Sequence, residues 1–524
     1  MLFLLVGGLL FRCIIAFWLY PGFDEAYYYL YSLHIDWSYF DHPVLVALTT
    51  GFGPWVTGIV SQFTIRLGAL VLYTGSLLLL YLTSVKLFSL PAARLTLAIA
   101  TIIPIFQVGF GVLTLPDSPL MFFWSASLCW AAYEFFPQPQ QKEQNDRALL
   151  PTYRPSYRLS YLGVLVGLAC LGKYHGFILG LGLIGFCLTS PRHRSALLSP
   201  WAWLGLGLFV VTISPILFWN IQHDWVSLRF QSARGVPRVG YNLLGVGAVF
   251  LAQVGYLFPT IGLPLWWVSL RSVLIQTTGK DLEQKQLLIL WVSLPLILGF
   301  TLMGGYRQIL PTWAMPGFWG TTLLLGQQAV IWQQQSRRWV RRWLQGSGIL
   351  VVSTLLFALL HVATGTLQKP SQYAFMGGFL APQDDPSTQL IDIQQVRRGF
   401  VESPILSKAL QKSSFIFTNR NYLSGQIGMA LTPLFHTPIT SFDIDLLGFA
   451  FWSKADQWLG GDALYVTTGP FHRRKDLISS YRTYFSSIQE IGTIPIRRGG
   501  AVIEVVYVYE AKTLLKPYPR NYGI

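Results

Sequence analysis

Charged residues are scarce in this chain. They make up 12% of its 524 residues, whereas an average soluble domain has about 25%, and hydrophobic residues make up 52%. The mean hydropathy is +0.45, and apolar runs of membrane-spanning length recur along the chain. The composition excludes an ordinary soluble domain and predicts an α-helical polytopic membrane protein.

Cysteine is nearly absent. The four cysteines, Cys13, Cys129, Cys170 and Cys187, all lie inside apolar segments. Their spacing matches neither a metal site nor a disulfide framework, so we expect them to be small core residues.

Acidic residues are outnumbered by basic ones, which gives a formal net charge of +15. The basic residues lie in short loops between apolar segments, where membrane topology explains them better than nucleic-acid binding does. No nucleic-acid partner is predicted.

The apolar segments predict about eleven transmembrane helices in residues 1–368. The segments lie at about 2–20, 66–88, 92–112, 118–136, 159–172, 175–190, 200–219, 243–270, 287–304, 311–333 and 347–367. Alternate connections are basic and contain Lys86, Arg94, Lys142, Arg147, Arg154, Arg158, Arg192, Arg194, Arg271, Lys280, Lys285, Arg337, Arg338, Arg341 and Arg342. Basic loops stay in the cytoplasm, so the remaining connections are predicted to be extracytoplasmic, in a plasma (inner) membrane.

Five segments with reactive side chains then share the extracytoplasmic side. They are the first loop at 20–65, the TLPDSP turn at 114–119, the GKYHG turn at 172–176, the loop at 220–242 and the GGYRQILP turn at 304–311. This convergence predicts an active site on that side of the membrane.

The composition changes after residue 368. Residues 369–524 are polar and contain three segments of strand type: SSFIFT at 413–418, ALYVTT at 463–468 and AVIEVVYVYE at 501–510. We predict two domains, a transmembrane domain at 1–368 and an extracytoplasmic α/β domain at 369–524 that covers the membrane site.

The first external loop is acidic and aromatic. No lysine or arginine occurs between Arg12 and Arg66. The acidic residues of this stretch are Asp24, Glu25, Asp36 and Asp41, and the aromatic ones include Tyr27, Tyr28, Tyr29, Trp37, Tyr39 and Phe40. A carboxylate at the bilayer centre costs about 2.5–3.5 kcal/mol, so such groups usually mark a site. The alternative is that they solvate the loop or bind lipid headgroups.

Three motifs in this region resemble a known family. DEAYY at 24–28, YFDHPVL at 39–45 and TLPDSPL at 114–120 are similar to motifs of the dolichyl-phosphate-mannose–protein mannosyltransferases and their bacterial relatives, glycosyltransferase family thirty-nine. The aminoarabinose lipid A transferase is a close cousin. The resemblance covers most of residues 1–340 and implies the C-type membrane glycosyltransferase fold with a polyprenyl-phosphate sugar donor.

The resemblance also implies roles for acidic residues. It implies a general base in the first external loop, which falls on Asp24, with Glu25 as the adjacent candidate. The second acidic motif falls on Asp117, for which catalysis or acceptor positioning competes with capping of the helix near Pro119.

The family's acidic–basic–proline triplet falls on Asp41, His42 and Pro43. His42 stands where the cousin has lysine, so a pH-dependent cation or a metal ligand replaces a fixed charge. Asp41 and His42 could bind a divalent metal ion, the one cofactor considered; the alternative is a hydrogen-bonded turn. We also predict that Tyr28, Tyr39 and Tyr174 bind sugar or acceptor together with Asp41 and His42.

Basic residues on the predicted external side suit a phosphate. Lys173 lies in LGKYHG, Arg307 follows GGY, and the loop at 220–242 contains Arg229, Arg234 and Arg238. Guanidinium groups bind phosphate oxygens bidentately, so we predict Lys173 and Arg234 as donor-phosphate ligands, followed by Arg229 and Arg307. Binding of anionic lipid headgroups is the alternative.

The leading hypothesis is an inverting membrane glycosyltransferase that moves a sugar from a polyprenyl phosphate to a lipid, glycan or protein acceptor. No dinucleotide-binding fingerprint is present, and the predicted site faces away from the cytoplasmic nucleotide sugars. A flippase for lipid-linked sugars is the main alternative, but no inverted repeat supports it. A ligase for whole glycans is the third.

Overall fold

The computed structural model describes residues 1–137, 153–236, 240–274 and 281–523. The predicted basic residues Lys142, Arg147, Arg238 and Lys280 lie outside these ranges. The first part of the described chain is helical: α1 Leu2–Trp18, α2 Phe23–Leu33, α3 Leu45–Thr57, α4 Leu67–Leu87, α5 Leu90–Ile102, α6 Asp117–Phe135, α7 Arg158–Gly172, α8 Gly176–Thr189, α9 Pro200–Gln222, α10 Val226–Ala233, α11 Leu243–Tyr256, α12 Pro259–Leu274, α13 Asp281–Met303 and α14 Met315–Thr364.

Several of these helices can span a membrane by length and composition. Within the described ranges these are Thr64–Leu87, Pro200–Gln222, Glu283–Met303 and Pro311–Thr364. Two bent pairs raise the number from four to six if each pair is one span. These helices confirm an integral membrane protein of mostly helical structure. The predicted number of eleven spans stays a prediction.

One predicted span is bent in the structure, and two others are joined at a kink. The segment 243–270 is not one straight helix, because α11 and α12 meet at 119°. The segments 311–333 and 347–367 lie on α14, which consists of two helices joined at a kink, because the backbone is non-helical at Ser336. The chain turns back at this kink: the rings of Trp332 and Trp343, on either side of it, have centres 5.8 Å apart.

The helices approach closely where small residues face each other. A Cβ on Gly163 of α7 would lie 1.9 Å from the carbonyl oxygen of Gly205 on α9, so only glycine permits this contact.

The charged Arg12 of α1 is fully buried and donates to Gln107 and Thr74 at 3.1 Å each. These bonds satisfy part of the guanidinium group, whereas its Nε has no hydrogen-bond partner among the described residues.

The C-terminal part combines helices with one sheet. Its elements are α15 Ile393–Glu402, α16 Pro404–Lys412, β1 Phe415–Thr418, α17 Asn421–Leu431, β2 Ile439–Ser441, β3 Ala463–Thr468, α18 Gly469–His472, α19 Lys475–Tyr481, β4 Phe485–Arg498 and β5 Ala501–Leu514. The strand order is β2-β1-β3-β5-β4. β1 is parallel to β2 and β3, whereas β5 is antiparallel to β3 and β4. The three predicted strands are confirmed as β1, β3 and β5, while the domain boundary at 368/369 stays a prediction.

The C-terminal part rests on α2. A Cβ on Gly425 of α17 would lie 2.9 Å from the backbone nitrogen of Tyr27, which shows how closely α17 and α2 pack. The backbone N–H of Gly448 donates to the Tyr27 hydroxyl at 2.7 Å. Buried apolar residues from α2 and from the sheet form one cluster. The predicted first loop is therefore held from both sides, by the membrane helices and by the sheet.

Candidate active site

The acidic N-terminal segment is helical rather than an irregular loop. It forms α2 and α3, and α2 makes an angle of 88° with α1. At the first turn of α2 the Glu25 carboxylate accepts a hydrogen bond from the Gly22 N–H at 2.9 Å, which satisfies one of the free amides of the helix start. The turn before α2 therefore determines where Asp24 and Glu25 point.

Glu25 is turned away from solvent and paired. Its carboxylate is 1% exposed and forms a bidentate pair with the fully buried Arg66, with nitrogen–oxygen distances of 2.8 and 2.6 Å. The backbone N–H of Thr114 donates to the same carboxylate at 3.0 Å. Arg66 also donates to the carbonyls of Ala16, Leu19 and Tyr20. Both carboxylate oxygens of Glu25 accept hydrogen bonds, which leaves neither free to act as a base. These bonds connect α1, α2 and the TLPDSP turn.

Asp24, one residue earlier, lines a cavity of about 540 Å³. The cavity collects residues from each of the five segments that the sequence places on one side. They include Asp24, Asp41 and His42 from the first segment, Asp117, Lys173 and Tyr174, Arg234, and Leu310. The structure thus confirms that these segments meet. Asp24 is solvent-accessible, and within the described chain its carboxylate has no hydrogen-bond or ion-pair partner.

Asp117 and Lys173 form a pair at the cavity wall. The Lys173 ammonium donates to both carboxylate oxygens of Asp117 at 2.9 Å, and both side chains are nearly buried. Asp117 is the first residue of α6, as expected for an acidic residue at a helix start. An ammonium has three N–H donors, so one donor of Lys173 remains for a ligand after this pair forms.

Asp41 is held by tyrosines. The hydroxyl of Tyr31 donates a short hydrogen bond to its carboxylate, and the hydroxyl of Tyr27 donates a second at 3.2 Å. Burial raises the pKa of Asp41 to about 6, although these hydrogen bonds act in the opposite direction. The backbone carbonyl of Asp41 accepts a bond from Gln231 at 2.7 Å, which joins this turn to α10.

His42 lines the same cavity. Burial, followed by the charges of Lys173 and Arg234, lowers the pKa of His42 well below its ordinary value. The surrounding positive charge disfavours the imidazolium, which argues against the pH-dependent cation that was one of the two alternatives for this position. The buried Nδ1 of His42 and Nε2 of His175 have no hydrogen-bond partner in the described structure, so both can serve a ligand.

The metal prediction finds little support in the donor set. Among the described residues, no group of three or more histidine, cysteine, aspartate or glutamate side chains is arranged to hold an ion. Asp41 and His42 supply two donors, and the Asp41 carboxylate is already used by tyrosine hydroxyls. The pair by itself does not form a typical metal site.

Of the three predicted arginines, one lines the cavity and two do not. Arg234 lines the cavity, with its guanidinium carbon 4.1 Å from the centre of the Phe230 ring, and has no carboxylate partner among the described residues. Arg307 does not line the cavity; it donates to the backbone carbonyl of Arg234 and supports that turn. Arg229 is exposed on α10 and lies outside the cavity lining, because the helix turns its side chain to another face.

Two of the three predicted tyrosines line the cavity, and the third does not. Tyr28 and Tyr174 line the cavity, and the Tyr174 hydroxyl is 2.7 Å from the Ser227 hydroxyl. Tyr39 does not line it: it is buried, stacks on Tyr31 with ring centres 3.9 Å apart, and donates to the Tyr31 carbonyl. Tyr39 therefore supports Tyr31, which in turn holds Asp41.

Sequence reasoning missed several lining residues, including Gln231, Phe300, Trp313 and Leu447. Gln231 and Trp313 follow or lie within predicted external segments, so their position along the chain is a usable signal. Phe300 lies in an apolar span, and Leu447 comes from the C-terminal part; nothing local distinguishes either from a core residue.

Comparisons with known proteins show which glycosyltransferases this chain is similar to. Residues 41–219 match the family model of the dolichyl-phosphate-mannose-protein mannosyltransferases. This region contains Asp41 and TLPDSPL but begins after DEAYY. RgtD, a lipid A galacturonosyltransferase of Rhizobium johnstonii, is 25% identical over 359 residues, covering 68% of this chain and 69% of RgtD. The predicted resemblance is confirmed.

Solved structures show the same fold. ArnT from Cupriavidus metallidurans in the apo state has a TM-score of 0.63 to this chain at 14% identity, with 97% of each chain covered. The same protein bound to undecaprenyl phosphate has a TM-score of 0.58 at 14% identity and the same coverage. At this identity the likeness establishes the fold alone.

Proposed function

We propose that this chain, a membrane glycosyltransferase, moves a sugar from a polyprenyl-phosphate donor to a lipid, glycan or protein acceptor with inversion at the anomeric carbon. The proposal rests on Asp24. Of the three carboxylates in the cavity, Asp117 is paired with Lys173 and Asp41 is bound by two tyrosines, whereas Asp24 has no such partner in the described chain. A general base needs a free oxygen within reach of the acceptor hydroxyl.

The proposed reaction is a single displacement. The acceptor hydroxyl gives its proton to Asp24 while its oxygen bonds to the anomeric carbon from one face. The bond between that carbon and the phosphate oxygen breaks on the opposite face, and the electron pair leaves with the polyprenyl phosphate. Negative charge therefore grows on the phosphate during the step, and cations placed there stabilise the transition state.

Arg234 and Lys173 are the proposed phosphate ligands. The Arg234 guanidinium faces the cavity without a carboxylate, and its planar fork suits two phosphate oxygens. Lys173 has one remaining donor after pairing with Asp117. ArnT has been solved with undecaprenyl phosphate, and RgtD is a lipid A galacturonosyltransferase. These relatives support a polyprenyl-phosphate donor and a lipid among the acceptors considered.

Replacing Arg234 by alanine is expected to weaken donor binding and slow transfer together, by about ten- to a hundredfold, because a charge-assisted hydrogen bond contributes about 1.5–3 kcal/mol. Arg234→Lys should recover only part of the loss, since an ammonium lacks the planar fork. The measurement is transfer in detergent with a short-chain soluble donor. Arg482→Ala, on an exposed arginine of the C-terminal part, is the matched control. Wild-type rates for Arg234→Ala would contradict phosphate binding.

The site is proposed to face the extracytoplasmic side of the plasma (inner) membrane. The basic residues at 337–342 follow the kink of α14 at Ser336, at one end of its two helices, and Leu447 of the C-terminal part lines the cavity. Reporter fusions at residue 340 should read cytoplasmic and fusions at residue 450 extracytoplasmic, because basic segments are retained inside. Signals from the same side at both positions would contradict the proposed orientation.

A further inference from the structure

A second large cavity lies on the C-terminal part, beside the start of α2. Its volume is about 760 Å³, within the range of about 300–1,000 Å³ typical of ligand sites. It is lined by the segment 382–391, by α17, by the end of β3 with α18, and by the first part of β5. We call it the C-terminal cleft.

The cleft offers ring faces together with polar groups. Four aromatic residues line it, namely Phe23, Tyr422, Phe471 and Tyr507. Phe23 and Tyr422 contact each other with ring centres 4.9 Å apart. The polar lining includes Gln426, Asp384 and Arg473, and within the described ranges the last two have no side-chain partner. Apolar rings beside amide, carboxylate and guanidinium groups suit a saccharide, which presents both C–H faces and hydroxyls.

The cleft is adjacent to the active-site cavity. Phe23 lines the cleft, and Asp24, the next residue, lines the active-site cavity. Successive residues of an α-helix point about 100° apart, so one turn of α2 presents its side chains to both spaces. The cleft and the active-site cavity therefore reach the same turn of α2 from different sides.

A strand-forming peptide fits the cleft less well. β3 ends at Thr468, opposite Val506, so residues 501–505 of β5 have no partner on that side. However, the Glu504 carboxylate closes this edge: it accepts hydrogen bonds from the N–H groups of Gly469 at 3.0 Å and Val505 at 2.9 Å. A peptide added as a strand would need free amides at the edge.

We propose that the C-terminal cleft binds the saccharide portion of an extended acceptor, so that the acceptor is a glycan or glycolipid of several sugar residues. This inference rests on the proposed function for the role of the bound glycan. The aromatic rings would stack on sugar faces, while Gln426 and Arg473 would bind hydroxyl or carboxylate oxygens. The cleft would thus select the acceptor at a distance from the reacting atoms.

The test measures binding without transfer. The full chain, purified in detergent, is applied to an array of immobilised oligosaccharides and, in parallel, to an array of extended peptides, with no donor lipid present. We expect retention on at least one class of oligosaccharide, weakened at least tenfold by Tyr422→Ala and by Phe471→Ala. Tyr373→Ala, on a tyrosine that is 59% exposed outside the cleft, is the matched control and should bind like wild type.

Three outcomes would overturn the inference. They are no retention on any oligosaccharide, retention that both cleft substitutions leave unchanged, and retention on peptides alone. Circular dichroism and gel filtration of each variant show whether it is folded. Because the assay contains no donor, its failure is separate from a failure of the proposed transfer reaction, which the Asp24 variant tests.

Discussion

Replacing Asp24 by asparagine is expected to leave folding and membrane insertion intact and to lower transfer by about a hundredfold or more, because general bases contribute about 10²–10⁴-fold. Asparagine is nearly isosteric with aspartate and removes only the basic oxygen. Since the Asp24 carboxylate has no partner in the described chain, the substitution breaks no hydrogen bond or ion pair. The measurement is the rate of transfer from a radiolabelled polyprenyl-phosphate sugar by the purified protein.

Asp456→Asn is the matched control, since Asp456 is exposed on the C-terminal part and lies away from the cavity lining. It should transfer at the wild-type rate. Near-native turnover by a well-folded Asp24→Asn protein would remove the central role of Asp24. In that case the base would have to be sought among the other cavity carboxylates.

Replacing Glu25 by glutamine is expected to reduce the free energy of unfolding by about 3–5 kcal/mol, because it leaves the buried Arg66 guanidinium without its counter-charge. The neighbouring carboxylates at 24 and 25 are thus expected to have separate functions, catalytic and structural. The measurement is equilibrium unfolding in mixed detergent micelles, with activity referred to the folded fraction.

Glu402→Gln provides the comparison, because Glu402 is exposed and should change stability by less than about 0.5 kcal/mol. A Glu25→Gln protein as stable as wild type, but inactive when folded, would contradict the structural role and restore Glu25 as a base. The two substitutions together therefore separate chemistry from folding at adjacent positions.

The sequence could predict that distant segments meet on one side of the membrane, because membrane topology depends on local composition. Apolar length decides which segments enter the membrane, and basic residues decide which connections stay inside. The TLPDSP and GKYHG turns were expected on the same side as the first loop, and the structure brings Asp24, Asp117 and Lys173 to one cavity. The strands β1, β3 and β5 were predictable for a similar reason, since their apolar patterns are local.

The function of individual side chains was less predictable. The DEAYY motif does not indicate whether Glu25 binds substrate or another residue of the chain. In the structure it binds Arg66, which lies forty-one positions later. His42 was expected to titrate, but burial beside Lys173 and Arg234 lowers its pKa well below the ordinary value. The helix α10 separates Arg234, in the cavity, from Arg229, outside it. Each outcome depends on charges and helix faces that are distant along the chain.

The sequence by itself determined the membrane class, the resemblance to a glycosyltransferase family and the segments that carry the site, because hydropathy, charge distribution and short motifs are properties of neighbouring residues. Tertiary structure alone decided which of two adjacent carboxylates is free and which is paired. It also decided that the C-terminal part reaches the cavity through Leu447 and forms a cleft with Phe23. Hydrogen bonding and desolvation act between residues that only the fold brings together, and these interactions separate a reactive side chain from a structural one.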